Sequence, residues 1–236
     1  MTFDRYTFQA RVLPMYTALL PLATAIVLLY PGYSPLQLVG ALTVVPAALA
    51  MLVSQLGRDI GSRKQPVLWR SWGGAPTTQL LRHSNPLVNS QTRNRYHDVL
   101  RRLRPDLAVP TKEQEDHDQH MADEVYETYT QYLRGQTRDQ SKFPLLHKEN
   151  ISYGFRRNLW GLKPLGIFTS SIGCVVVALK LRTYWPNPSS IPAEVTVGGA
   201  LVFIMLTVWV FWITPSWVRI AAEAYARQLF EATEGL

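Results

Sequence analysis

A chain of 236 residues with 47% hydrophobic residues and a formal net charge of +7 has the averages of one large globular domain. Its one cysteine, Cys174, excludes a disulfide framework and a cysteine-based metal site. The averages hide a segregation, because the apolar residues fall in four blocks near the two ends and most of the charge falls between them, which excludes an ordinary soluble domain.

The first block, Val12 to Tyr30, is close to the ~20 residues that a helix needs to cross the hydrocarbon of a bilayer. A cleaved signal peptide is the competing reading, but the apolar stretch is long and Leu29, Tyr30 and Pro31 lack the small-residue cleavage pattern. Pro31, Gly32, Tyr33, Ser34 and Pro35 predict a tight turn, and Leu36 to Leu56 predicts a second span, so the two form a transmembrane hairpin. A second hairpin is expected from Leu165 to Tyr184 and Val195 to Thr214, joined by a proline-rich loop over 186–192. Neither hairpin loop carries Lys or Arg, whereas Arg58, Arg63, Lys64, Arg70, Arg156, Arg157 and Lys163 flank the inner ends of the spans. That asymmetry predicts a multi-pass protein of a cytoplasmic membrane, with the insert and both termini in the cytoplasm. Lys180 and Arg182, at the outer end of the third span, run against it and are read as snorkelling to the headgroups.

Thr17 and Thr24 share one face of the first span, and Thr169 and Ser170 cluster with Gly173 in the third. These four hydroxyl residues are candidate pore-lining groups, with close helix packing as the alternative. No acidic residue lies in an apolar block, which disfavours a carboxylate-based ion or proton site at mid-membrane.

The insert separates its charge. Ten basic residues lie between Arg58 and Arg104 against Asp59 and Asp98, and eight acidic residues lie between Asp106 and Glu127 against Lys112. The two halves either neutralise one another or leave the first to face an anion. Three helices are predicted. The first starts at Pro76 with Leu80 and Leu81 on its apolar face. The second carries Tyr96, Val99, Leu100 and Leu103 and ends at Pro105. The third begins with a capping box of Thr111 and Gln114, carries Val125, Tyr129, Tyr132 and Leu133, and closes at Arg134 and Gly135. The segment after Pro215 reads as an amphipathic helix from Trp217 to about Glu231, lying on the membrane or against the insert. The expected organisation is therefore all-α, with a first hairpin over 1–57, a helical cytoplasmic domain over 58–163, a second hairpin over 164–214 and an amphipathic helix over 215–236.

The stretch from Leu68 to His83 is the strongest candidate binding site. Gly73 and Gly74 before a helix start would free backbone N–H groups for an anion. Thr77 and Thr78 would add hydroxyls, Arg70 and Arg82 charge, and Trp69 and Trp72 faces on which bases stack. The alternative is that the tryptophans belong to the interfacial aromatic belt and the glycines turn the chain. The spacing matches neither a Walker loop nor a dinucleotide fingerprint, and no catalytic constellation is legible, so the chain does not read as an enzyme. His117, His120 and Glu124 have helical spacing, but without a zinc motif they read as a solvated acidic face. No cofactor is implied.

Two hairpins around a cytoplasmic insert, together with Trp72, Gly73, Gly74, Ala75, Pro76, Thr77 and Thr78, resemble the small multi-span effectors of bacterial anti-phage defence operons, and among them the Hailong-type membrane effector. The resemblance implies a homotetrameric ion channel in the bacterial inner membrane. It also implies control by a short oligodeoxyadenylate, made by a nucleotidyltransferase encoded alongside. Four spans per chain are few for enclosing an aqueous path, which independently favours a homo-oligomer. A non-conducting scaffold that recruits a soluble partner through the two charged halves is the other function open to this sequence.

Overall fold

In a computed structural model of the chain the described residues are 6–29 and 46–236, and every regular element among them is helical. The helices are α1 (Leu13–Leu29), entered through a π-helical turn at Thr7–Val12, α2 (Pro46–Trp72), α3 (Pro76–Leu81), α4 (Ser90–Leu103) and α5 (Lys112–His117). They continue with α6 (Gln119–Gln136), α7 (Pro144–Gly161), α8 (Lys163–Arg182), α9 (Ala193–Thr207), which ends in a π-helical turn at Val208–Trp212, and α10 (Pro215–Glu231). Three helices are long and apolar enough to cross a membrane: Thr7–Leu29, Lys163–Arg182 and Ala193–Trp212. The predicted turn over 31–35 and the first part of the span over 36–56 lie outside the described residues. The chain forms two compact units, Met1–Lys64 with Gly154–Val218, and Gln65–Tyr153 with Arg219–Leu236. Their borders fall within the ranges of α2, α7 and α10.

In the first unit the three apolar helices pack on one another, α1 and α9 each against α8. Small residues set the approach, since apolar contact between helices gains little when the surrounding solvent is itself hydrocarbon. The Trp209 ring rests directly on Gly166, where a Cβ would lie 2.2 Å from it. At Gly173 a Cβ would come within 2.8 Å of Val202. Gly61 and Gly161 meet in the same way, and Asn158 fills the space beside Gly61 while its amide donates to Ala10 O at 2.7 Å. The outward faces stay open, with Val197 68%, Phe203 65% and Phe211 75% exposed.

The second unit is built around a buried apolar core. Leu81, Leu100, Tyr126, Tyr129 and Leu133 are fully buried, with Ala226, Leu229 and Phe230 of α10 packed among them. Through these three side chains, Ala226, Leu229 and Phe230, the C-terminal segment packs against buried residues of the insert. α3 begins at Pro76 and α4 ends before Pro105, as their signals predict. Asn89 caps α4 by accepting from the Thr92 amide, which places its start at Ser90.

Two features of the insert differ from the sequence expectation. The predicted third helix is two helices, because Asp118 adopts an extended backbone and its carboxylate accepts from the Met121 amide at 3.0 Å, capping α6 anew. The Thr111 and Gln114 capping box therefore starts only the short α5. A further helix, α7, follows from Pro144; its mixed polar and apolar sequence carries no single stripe, which is why periodicity passes over it.

Candidate functional site

The stretch from Trp69 to Arg82 comprises the end of α2, a closed glycine turn and the short α3. Gly73 and Gly74 hold φ of 83° and 132°, values open to glycine, and these reverse the chain at the end of α2. The Gly74 amide donates to Trp69 O at 2.8 Å and the Gly73 amide to Arg70 O at 3.3 Å. Both donors that would have pointed at an anion thus satisfy the last carbonyls of α2. The turn's own carbonyls are also engaged: Gln79 Nε2 donates to Gly74 O at 2.6 Å and Arg82 Nη1 to Gly73 O at 2.9 Å.

Arg82 has a second task. Its Nε and Nη2 form a forked pair with Asp123 of α6 at 2.8 and 2.6 Å, so its charge is compensated inside the insert. Thr77, Thr78 and Trp72 are buried. Trp69 is half-buried and its indole N–H donates to the Tyr153 hydroxyl at 3.3 Å. Arg70 and Gly73 are exposed. The structure therefore turns these eight neighbouring residues different ways, leaving the exposed Arg70 and the half-buried Trp69 as the ones with side chains open to water.

Beside this turn lies a polar cluster for which the sequence offers no motif. The buried Glu115 carboxylate accepts from the His83 amide at 2.9 Å, the Ser84 amide and hydroxyl at 3.3 Å each, and the Tyr126 hydroxyl at 2.8 Å. Burial pushes Glu115 up, but these donors outweigh it and hold the carboxyl below its usual range. Burial likewise raises the Tyr126 phenol, and the adjoining Glu115 carboxylate adds to the rise. His97 is buried and bonded through Nε2 to Leu81 O at 2.8 Å, which makes Nε2 the protonated nitrogen. Burial lowers its pKa to about 4, and the neighbouring His83 ring, 4.9 Å away edge-on, contributes in the same direction. The cluster ties α3, α4, α5 and α6 together. A lone Glu in an acidic run and a His on an apolar face have no spacing that distinguishes them from surface groups.

Among the candidate pore residues, Thr17 and Thr24 donate to Leu13 O and Leu20 O of their own helix. Thr169 is buried and donates to Ala18 O of α1 at 2.6 Å, joining two spans. Ser170 is buried beside it, and its hydroxyl has no hydrogen-bond partner among the described residues. The structure thus places Thr169 and Ser170 between helices of one chain. The break at Asp118 puts His117 and His120 in different helices; His120 pairs with Glu124 at 3.5 Å, both exposed, and no group of three metal-binding side chains occurs among the described residues.

The sequence matches no protein-family model, and no curated protein and no solved structure matches it.

Proposed function

We propose that this chain is the membrane-embedded effector of an anti-phage defence system, a homo-oligomeric ion channel whose helical insert binds a nucleotide or short oligonucleotide and thereby gates conduction. The observation that carries this reading is the pairing of apolar spans, whose outward faces stay open, with an insert that builds its own buried core. A span bundle of this size needs further copies to enclose an aqueous path, and a separately folded insert is the part able to present a ligand site to water. The bacterial inner membrane, a cytoplasmic insert and a tetrameric assembly belong to the same proposal and rest on the basic flanks of the spans and on the family resemblance. Within the insert the ligand's phosphate meets Arg70 and its base stacks on Trp69, since the glycine amides are engaged and Arg82 is paired. To move the channel from 1:99 to 99:1 open, the ligand must favour one state by about 5.5 kcal/mol in total, a demand that several identical sites share.

One observation favours a second reading, a scaffold that conducts nothing. The turn from Trp69 to Arg82 satisfies its own donors and acceptors, as a structural joint does. Ion flux from liposomes containing the purified full chain separates the two readings. A channel gives flux that changes on adding short deoxyadenylates, and the Arg70→Ala chain loses that response. No flux from a verified oligomer under deoxy-oligonucleotides, ribo-oligonucleotides and cyclic nucleotides sinks the channel and leaves the scaffold.

A further inference from the structure

The unit that holds the apolar helices carries an open groove of about 320 Å³ at the π-helical end of α9. Thr17, Phe155, Met205, Trp209, Trp212 and Trp217 are among its walls, and the Thr17 hydroxyl is turned to Leu13 O of its own helix. Water in such a groove finds few partners, whereas a hydrocarbon chain finds contact along its length. The π-helical turn makes the space: the Ile213 amide reaches back to Val208 O at 3.1 Å, which widens the last turn and splays its tryptophans. Trp209 points inward onto Gly166, whereas Trp212 is 66% exposed.

Two cations touch the walls. The Arg156 guanidinium lies 4.9 Å from the centre of the Trp217 ring, and its Nη1 donates to Trp217 O at 3.0 Å. Lys163 Nζ donates to Val210 O and Ile213 O at 2.9 Å each. These partners are neutral carbonyls, and neither cation pairs with a carboxylate among the described residues. Asp59 and Glu194 are the only acidic residues in the described part of this unit. Each cation also keeps N–H donors beyond those given to the carbonyls.

We infer that this groove binds an anionic phospholipid, with an acyl chain along Trp209, Trp212 and Trp217 and the phosphate on Arg156 and Lys163. The site needs a membrane around the protein and nothing more, so it stands or falls apart from conduction and from any ligand of the insert. A zwitterionic lipid offers the same chain, but its ammonium group faces the two cations and cancels the attraction. Charge is therefore the discriminating feature.

Tryptophan emission of the full chain in phosphatidylcholine vesicles reads this out, with dibrominated phosphatidylglycerol or dibrominated phosphatidylcholine as quencher. Brominated phosphatidylglycerol is expected to quench at an about 30-fold lower mole fraction, at roughly fivefold per cation. The Arg156→Gln/Lys163→Gln chain should quench alike with both lipids. Val208→Phe keeps the cations but fills the groove, and serves where the double variant fails to insert; it too should lose the preference. Equal quenching by the two lipids in the native chain overturns the site, and so does an undiminished preference in Val208→Phe. Quenching by neither lipid, with Trp212 cross-linking between copies, overturns it in favour of a second chain covering the groove.

Discussion

The two units of this molecule are held together by opposite means. The insert excludes water from large side chains, with Tyr126, Tyr129 and Phe230 fully buried, and it sets polar groups such as Glu115 among fully engaged donors. The span unit leaves Phe203 and Phe211 outward, brings backbones together at Gly61 and Gly161, and seats the Trp209 and Val202 side chains directly on Gly166 and Gly173. The difference follows from solvent. In water an exposed phenylalanine is a cost that a core removes, and in hydrocarbon it is not, so close fit and interhelical hydrogen bonds are what remain to specify packing.

That contrast can be broken most forcefully in the insert. Phe230→Ala should remove about 3–5 kcal/mol from the stability of the insert, as expected for a fully buried aromatic, while the spans stay inserted. Hydrogen exchange of the chain in nanodiscs checks this, through loss of protection in α4 and α6 with none in α8. A result that unprotects both units equally would make them one cooperative body.

Acid should act on the same unit. The folded pKa of His97 lies near 4, below its ordinary 6.5, so the unfolded chain takes up a proton that the folded insert does not. Stability is therefore full above about pH 6.5 and falls as pH drops towards 4, by at most about 3 kcal/mol. The depressed Glu115 carboxyl extends the loss to lower pH, since its contribution disappears as it protonates. Thermal unfolding across that range should show the decline, and His97→Gln should flatten the part above pH 4.5. A decline that persists in the variant assigns the sensitivity elsewhere.

The smallest effect belongs to the membrane. Thr169→Val keeps the shape but removes the bond to Ala18 O, at a cost of about 0.6 kcal/mol. Refolding equilibria in mixed micelles would resolve it. A loss several times larger would mean that polar contacts, and not close fit, govern the spans.

The candidate site was legible only in part. Trp69, Arg70, Gly73 and Gly74 stand out in the sequence as a turn rich in aromatic and basic groups, and the structure has a glycine turn there with φ values to match. What the sequence leaves open is direction. A glycine amide before a helix serves an anion or the preceding helix with equal ease, and here α2 runs as far as Trp72 and takes both. Likewise Arg82 reads as a free cation until α6 brings Asp123 to it across 41 positions of chain.

By itself the sequence determined the elements whose cause is local: apolar blocks long enough to span hydrocarbon, the Thr111 capping box, the proline that starts α3 and the proline that follows α4. Each depends on side chains within a turn or two, or on composition summed over a window, and such terms are present in the chain before it folds. Only the tertiary structure decided that α10 completes the core of the insert, that Glu115 and His97 are buried among donors and rings, and that a groove opens beside Trp209 with two cations that pair with no carboxylate among the described residues. Those outcomes rest on which surfaces meet across long separations, where burial and charge pairing depend on neighbours that no local spacing specifies.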